Sequence, residues 1–135
     1  MHSEANTFSR FVSKHFDSYF KEFGLATSYV EVLIFIKNEG PILQKEIADY
    51  LNLDPSTITR FLKKLQKGEW ILKEKVDGRT KIVLNSVKNR EVTTLQGLYL
   101  EAEEALSEIL GEKYVETTVK LLHHGNNMFE QSDKE

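Results

Sequence analysis

Arg60, Lys63, Lys64 and Lys67 recur at three- and four-residue intervals, and no carboxylate lies between Pro55 and Gly68. At about 100° per residue, a helix through these positions gathers the four cations and Ser56 on one side. Ile58, Phe61, Leu62 and Leu65 then fall within roughly 100° of arc on the other side, with Thr57 and Thr59 on the flanks. Such a helix can bind a polyanion. A guanidinium is a rigid fork of donors that matches two acceptors on one guanine, whereas an ammonium is a point charge suited to phosphate. Arg60 is therefore the candidate base reader, Lys63, Lys64 and Lys67 are candidate phosphate contacts, and Ser56, Thr57 and Thr59 are candidate hydroxyl contacts. A charged outer face alone is what any amphipathic surface helix shows, so the surroundings decide.

The chain has 135 residues and a net charge of −3, which on its face disfavours a polyanion partner. The charge is segregated, however. Ser56 to Lys81 holds eight Lys/Arg against three acids, a net of +5, which leaves −8 for the rest of the chain. A local basic patch on an acidic body fits nucleic-acid binding better than a uniformly solvated surface does.

The segment Gln44 to Lys67 reads as two short helices around a tight turn. A helix-turn-helix needs a small residue where its helices approach, met by Ala48, and a turn residue that tolerates left-handed backbone, met by Asn52. Ile47, Leu51, Leu53, Ile58 and Phe61 provide its small core. The second helix has a marked start, with Asp54 as N-cap and Pro55 at the first helical position. After Trp70 the period changes to that of strands. Leu72–Val76 and Lys81–Leu84 flank Asp77-Gly78, a strong two-residue hairpin signal. The hairpin makes a wing, and Arg79 lies near its tip, where an arginine can enter a narrow minor groove with Asp77 orienting it. Lys81 follows on the return strand, and Trp70 reads as a core anchor beneath the wing.

Around this unit the sequence places helices. The first spans about Glu4 to Phe23, with Phe8, Phe11, Val12, His15, Phe16, Tyr19, Phe20 and Phe23 on one face, and Gly24 ends it. Such an aromatic stripe is covered either by the rest of this chain or by a second copy, or it lines a ligand pocket; core or dimer packing is the commoner fate. Thr27 or Ser28 caps a second, central helix, with Ser28 and Glu31 at capping-box spacing, and the helix stops at Gly40-Pro41. From about Ser86 a long helix carries Leu95, Leu98, Tyr99, Ala102, Ala105, Leu106, Ile109 and Leu110 on one stripe. Gly111 interrupts it before a last helix, with a frayed tail from Gln131. The division expected is a single domain with a winged helix-turn-helix over 26–85, flanked by helices at 4–23 and 86–130.

Other functions find little support. The chain has no cysteine, so disulfides and thiolate metal sites are excluded, and a reducing cytoplasm is the fitting location. No apolar run reaches the roughly 18 residues of a membrane span, and MHSEANTFSR has no secretory pattern. His123 and His124 point about 100° apart on a helix and make no metal pair by themselves. No metal or cofactor is expected, and no triad, phosphate loop or acid pair marks an enzyme.

The stretch ADYLNLDPSTITRFLKKLQKGEWI followed by DGRTKIVLN resembles the MarR family of winged-helix transcriptional regulators. The resemblance rests on Ile47-Ala48, on Leu53 to Arg60, on Leu65 to Gly68 and on Asp77-Gly78-Arg79, and covers about Ala26 to Asn85. Trp70 and Asn85 depart from its pattern, which usually has a small aliphatic residue and a threonine there. The resemblance implies a mainly α fold with a β-hairpin wing, acting as an obligate homodimer on a palindromic operator, often with a small-molecule effector. It implies that the terminal helices interleave between protomers, through Phe8, Phe11, Phe16, Tyr19 and Phe20 of the first and Leu106, Ile109 and Leu110 of the long one. Two rival readings remain open: a winged-helix protein-interaction module, and a nonspecific architectural DNA binder.

Overall fold

The computed structural model describes residues 1–133. Six α-helices and one hairpin follow in the order α1 (His2–Asp17), α2 (Thr27–Glu39), α3 (Gln44–Leu51), α4 (Pro55–Lys67), β1 (Ile71–Val76), β2 (Arg79–Leu84), α5 (Asn89–Leu110) and α6 (Glu112–Asp133). The mainly α architecture with a small wing is the one the sequence implies. The chain forms two compact units, Met1–Tyr99 and Leu100–Glu135.

In the first unit α2 is the central element. Val30, Val32, Leu33, Phe35 and Ile36 are all buried, as a helix apolar nearly all round requires. Its start differs from the expected one. Ala26 occupies the N-cap position and makes no side-chain cap, and Ser28 and Glu31 form no capping box. Asp17 at the end of α1 takes that part instead: its Oδ1 accepts from the Thr27 backbone N–H (2.9 Å) and the Thr27 hydroxyl (2.6 Å). A carboxylate reaching from a neighbouring helix satisfies the orphan N–H as well as a local cap does.

The first helix is also shorter than expected. It ends at Asp17, where the Ser18 hydroxyl donates to the His15 carbonyl, and the chain resumes as a 3₁₀ turn at Lys21–Phe23 before left-handed Gly24. The aromatic spacing continues past Ser18, so periodicity alone cannot locate the break. Phe16 and Phe20 are 6% and 0% exposed, and their rings lie 5.2 and 6.4 Å from that of Tyr99. These two are consumed by packing within their own chain. Phe11, by contrast, is 69% exposed.

The helix-turn-helix forms as its sequence dictates. Asn52 ends α3 at φ 52°, ψ 46°, the left-handed conformation the turn needs. At the other end of α3 the Leu43 N–H donates to Glu46 Oε1, half of a capping box whose other half aliphatic Leu43 cannot supply. The side chains of Ile47 and Ile58 are buried, while Leu51, Leu53 and Phe61 are half-buried.

The hairpin pairs without a bulge, Ile71 opposite Leu84 through Val76 opposite Arg79. Asp77 and Gly78 both have positive φ (53° and 77°), as a two-residue turn between twisted strands requires. A bridge that the sequence does not reveal fastens the wing to the helices: Ile42 and Ile82 exchange backbone hydrogen bonds of 3.1 and 2.7 Å. At the root of the wing the left-handed residue is Glu69 (φ 63°), not Gly68. Gly68 is needed for space, since a Cβ there would stand 2.9 Å from Cδ1 of buried Trp70. Asn85, where the family pattern has threonine, caps the following turn: its side chain accepts from the Val87 N–H and donates to the Glu69 carbonyl.

In the second unit Gly111, at φ 93°, separates α5 from α6. Helix α6 extends through Gln131, Ser132 and Asp133, so these three are helical rather than frayed; the last two residues of the tail lie outside the described range. Leu121, Leu122, Met128 and Phe129 of α6 and Ile109 of α5 are exposed. Leu106 and Leu110 are half-buried.

Candidate nucleic-acid interface

Helix α4 is held by the face predicted to hold it. Ile58, Leu62 and Leu65 are buried, and burying each such side chain contributes roughly 1.5–3 kcal/mol. The start of the helix is fixed by Asp54, whose Oδ1 accepts from the Thr57 N–H at 2.8 Å and from the Ser56 hydroxyl at 2.6 Å. The Ser56 hydroxyl, then the Thr57 N–H, hold the Asp54 carboxyl below its ordinary range. With its core face anchored and its first turn capped, α4 presents Ser56, Thr59, Arg60, Lys63, Lys64 and Lys67 as exposed residues, while Thr57 is half-buried.

The hydroxyls are less free than their sequence pattern implies. Ser56 donates to Asp54. Thr57 Oγ1 lies 3.5 Å from Arg60 Nη2. Thr59 donates to the Pro55 carbonyl at 2.8 Å and also meets Gln44 Nε2 at 2.9 Å. Short hydroxyl side chains on a helix reach backbone groups and neighbours one turn away, so intrachain partners claim them first. Arg60 keeps a nearly uncommitted guanidinium, since a 3.5 Å contact is at the limit of a hydrogen bond.

The lysines also divide. Lys64 Nζ sits 4.6 Å from the centre of the Tyr29 ring, and that ring stacks on Phe61 with centroids 4.4 Å apart. Lys64 thus covers the joint between α2 and α4 as a cation over an aromatic face. Lys63 and Lys67 make no ion pair or ring contact among the described residues and are exposed. Sequence alone does not reveal the parts of Tyr29 and Gln44, because each acts through a partner on another helix.

On the wing, Arg79 opens β2 beside the turn and is exposed. The expected pairing with Asp77 is absent among the described residues. Both side chains are in water, where an ion pair gains too little to hold two chains in one geometry. Lys81 is half-buried and lies opposite Glu74 in the hairpin register, with no ion pair between them among the described residues. Exposed Lys73 and Lys75 on β1 add positive charge to the same hairpin. Trp70 is buried, as a core anchor is, and Lys88 stands 4.8 Å over its ring.

Among the described residues no group of three His, Asp or Glu could hold a metal ion. No helix among them is long and apolar enough to cross a membrane.

The arrangement has known counterparts. A family model described as the MarR family matches residues 27–81, from the start of α2 to the return strand of the wing. The HTH-type transcriptional regulator YwoH of Bacillus subtilis (strain 168) is 31% identical over 136 residues, spanning 98% of this chain and 84% of its own. Solved structures share the fold at lower identity. The S. aureus MepR–DNA complex superposes with a TM-score of 0.78 at 19% identity, covering 92% of each chain. The transcriptional repressor CouR bound to p-coumaroyl-CoA superposes with a TM-score of 0.83 at 16% identity, covering 91% of this chain and 88% of its own. On the sequence match, the shared fold and the placement of its basic helix and wing, this chain belongs to the MarR family of transcriptional regulators.

Proposed function

We propose that the protein is a homodimer that binds a palindromic DNA site, with one α4 in each of two successive major grooves about 34 Å apart. The observation that carries this reading is the outer face of α4, four cations and no carboxylate from Pro55 to Gly68, on a helix anchored by buried Ile58, Leu62 and Leu65. Arg60 reads a guanine, Lys63 and Lys67 hold phosphates, and Arg79 reaches the minor groove from the wing. Lys64, partly committed to Tyr29, and half-buried Lys81 contribute charge to the same surface, and Ser56, Thr57 and Thr59 line it. That MepR was solved on DNA supports the orientation.

Exposed apolar side chains favour dimerisation. Phe11 in one unit, and Ile109, Leu121, Leu122 and Phe129 in the other, are large hydrophobic side chains left exposed, which a second copy would cover. Phe8, Tyr19, Leu106 and Leu110 are half-buried and join them in this reading, whereas Phe16 and Phe20 serve the protomer's own core. A small-molecule effector modulates the spacing of the two α4 helices; the support is that CouR was solved with p-coumaroyl-CoA. The protein acts in the cytoplasm, where its DNA lies.

A gel shift on the DNA upstream of its own gene, beside unrelated DNA of equal length, tests the reading together with sedimentation of the free protein. A retained species on the upstream DNA alone and a dimer in solution are expected. Equal retention of both DNAs would make it a nonspecific binder. No retention of either, with another protein co-purifying, would make it an interaction module.

A further inference from the structure

Thr59 occupies an exposed position on α4, one residue before Arg60. Its hydroxyl makes two contacts that together fix its role. Oγ1 lies 2.8 Å from the Pro55 carbonyl oxygen, and a carbonyl has no hydrogen to give. The single hydroxyl proton of Thr59 is therefore the one shared in that bond. It follows that Gln44 must approach with its amide N–H, as the 2.9 Å contact from Nε2 shows, and that Thr59 Oγ1 accepts there. Gln44 comes from the first turn of α3, on the other side of the helix-turn-helix joint. One proton given away and one lone pair filled leave the hydroxyl no donor for a base.

A threonine without a donor cannot bond to guanine O6 or N7, adenine N7 or thymine O4, all of which are acceptors. It still offers its γ-methyl group, and one acceptor lone pair that only the adenine N6 or cytosine N4 amino group could fill. In the major groove the apolar feature that distinguishes one base from the other three is the C5 methyl of thymine. Holding the hydroxyl at two points also fixes χ1, so the methyl is presented in one orientation and little rotamer freedom is lost on binding.

We infer that Thr59 is a thymine-methyl reader, and that Gln44 is the positioning residue that makes it one by occupying its hydroxyl from α3. The inference rests on α4 lying in the major groove, as proposed above. It assigns the recognition helix two adjacent readers of different chemistry: Thr59 reads by apolar contact, Arg60 by hydrogen bonding.

The test uses the full chain and a duplex that the wild-type protein selects from a randomised pool. Each thymine of that duplex is replaced in turn by deoxyuridine, which removes the C5 methyl and leaves pairing intact. One symmetric pair of positions should be sensitive, losing about fourfold in affinity per methyl and about fifteenfold for the pair, the worth of burying one methyl group in each half-site. The sensitivity should vanish in Thr59→Ser, which keeps the hydroxyl and lacks the methyl. It should persist in Thr59→Val, which keeps a methyl and lacks the hydroxyl. Gln44→Ala should reduce the uracil sensitivity while leaving the affinity for random duplex unchanged. Three results would overturn the inference: indifference of the wild type to uracil at every position, retained sensitivity in Thr59→Ser, or a loss in Thr59→Val as large as in Thr59→Ser. If the wild-type protein selects no sequence at all, groove reading itself fails and Thr59 with it, a result distinct from a selected sequence whose thymines are all indifferent.

Discussion

Replacing Arg60 separates reading from holding. Arg60 is exposed, and its one side-chain hydrogen bond among the described residues is the 3.5 Å contact with Thr57. Its removal should therefore change folding stability by no more than about 0.5 kcal/mol, as for surface positions generally. Any large effect on DNA binding then belongs to the interface. A bidentate arginine–guanine pair gives about 1–3 kcal/mol of discrimination, so two half-sites lose about 2–6 kcal/mol, roughly thirtyfold to 10⁴-fold. The informative variant is Arg60→Lys, which keeps the charge and loses the fork. Fluorescence anisotropy on the selected duplex, and on one with the contacted guanine changed in both half-sites, gives the comparison. Arg60→Lys should lose most of what Arg60→Ala loses on the selected duplex and should be indifferent to the changed guanine. If Arg60→Lys binds like wild type, and Arg60→Ala weakens all sequences equally, Arg60 holds a phosphate and the assignment of roles on α4 is wrong.

Because Lys64 lies over Tyr29 and Lys63 makes no ion pair or ring contact among the described residues, Lys63→Ala should weaken DNA binding more than Lys64→Ala. Lys64→Ala should in turn lower folding stability by about 0.5–1 kcal/mol in denaturant titration, the worth of an exposed cation–π contact. Arg79→Ala should reduce the salt slope of binding by about one unit and relax preference only in the flanks reached by the wing, as a selection experiment would show. Asp17→Ala removes both acceptor contacts to Thr27 and should destabilise the first unit by about 0.5–2 kcal/mol, the range for losing a helix cap, measured by urea unfolding. Asp54 is the pH-dependent cap. Its folded carboxyl titrates below the ordinary value of 3.8, so its contribution is complete above that pH and is lost as pH falls through the lower, folded value. Thermal midpoints of wild type and Asp54→Ala should differ at neutral pH and converge in acid.

The features legible in the sequence are those decided by near neighbours. Asn52 in the turn, Asp54 and Pro55 at the start of α4, and the Asp77-Gly78 reversal each meet a local backbone requirement, and each stands where that requirement places it. The apolar and basic faces of α4 were legible for the same reason, since one helical period generates both. Contacts between distant segments were not. Asp17 caps a helix ten residues away, and Gln44 bonds to Thr59 fifteen residues away. Ile42 joins a strand of the wing, and Lys64 turns to a ring on α2. No period records such pairings. The aromatic stripe of α1 shows a further limit: its spacing says that the face is covered, but only packing reveals that Phe16 and Phe20 are covered by their own chain while Phe11 is left exposed.

The proposed function requires a locally basic helix on an acidic chain to read DNA sequence as a dimer. Its most direct test is the affinity of the wild-type protein for its selected duplex and for random duplex across a salt series. Six to ten phosphate contacts predict a log–log slope of roughly −5 to −9 for the selected site. A preference over random duplex of at least about 10³ should persist at physiological salt. Equal affinity for the two duplexes at every salt concentration would contradict the account.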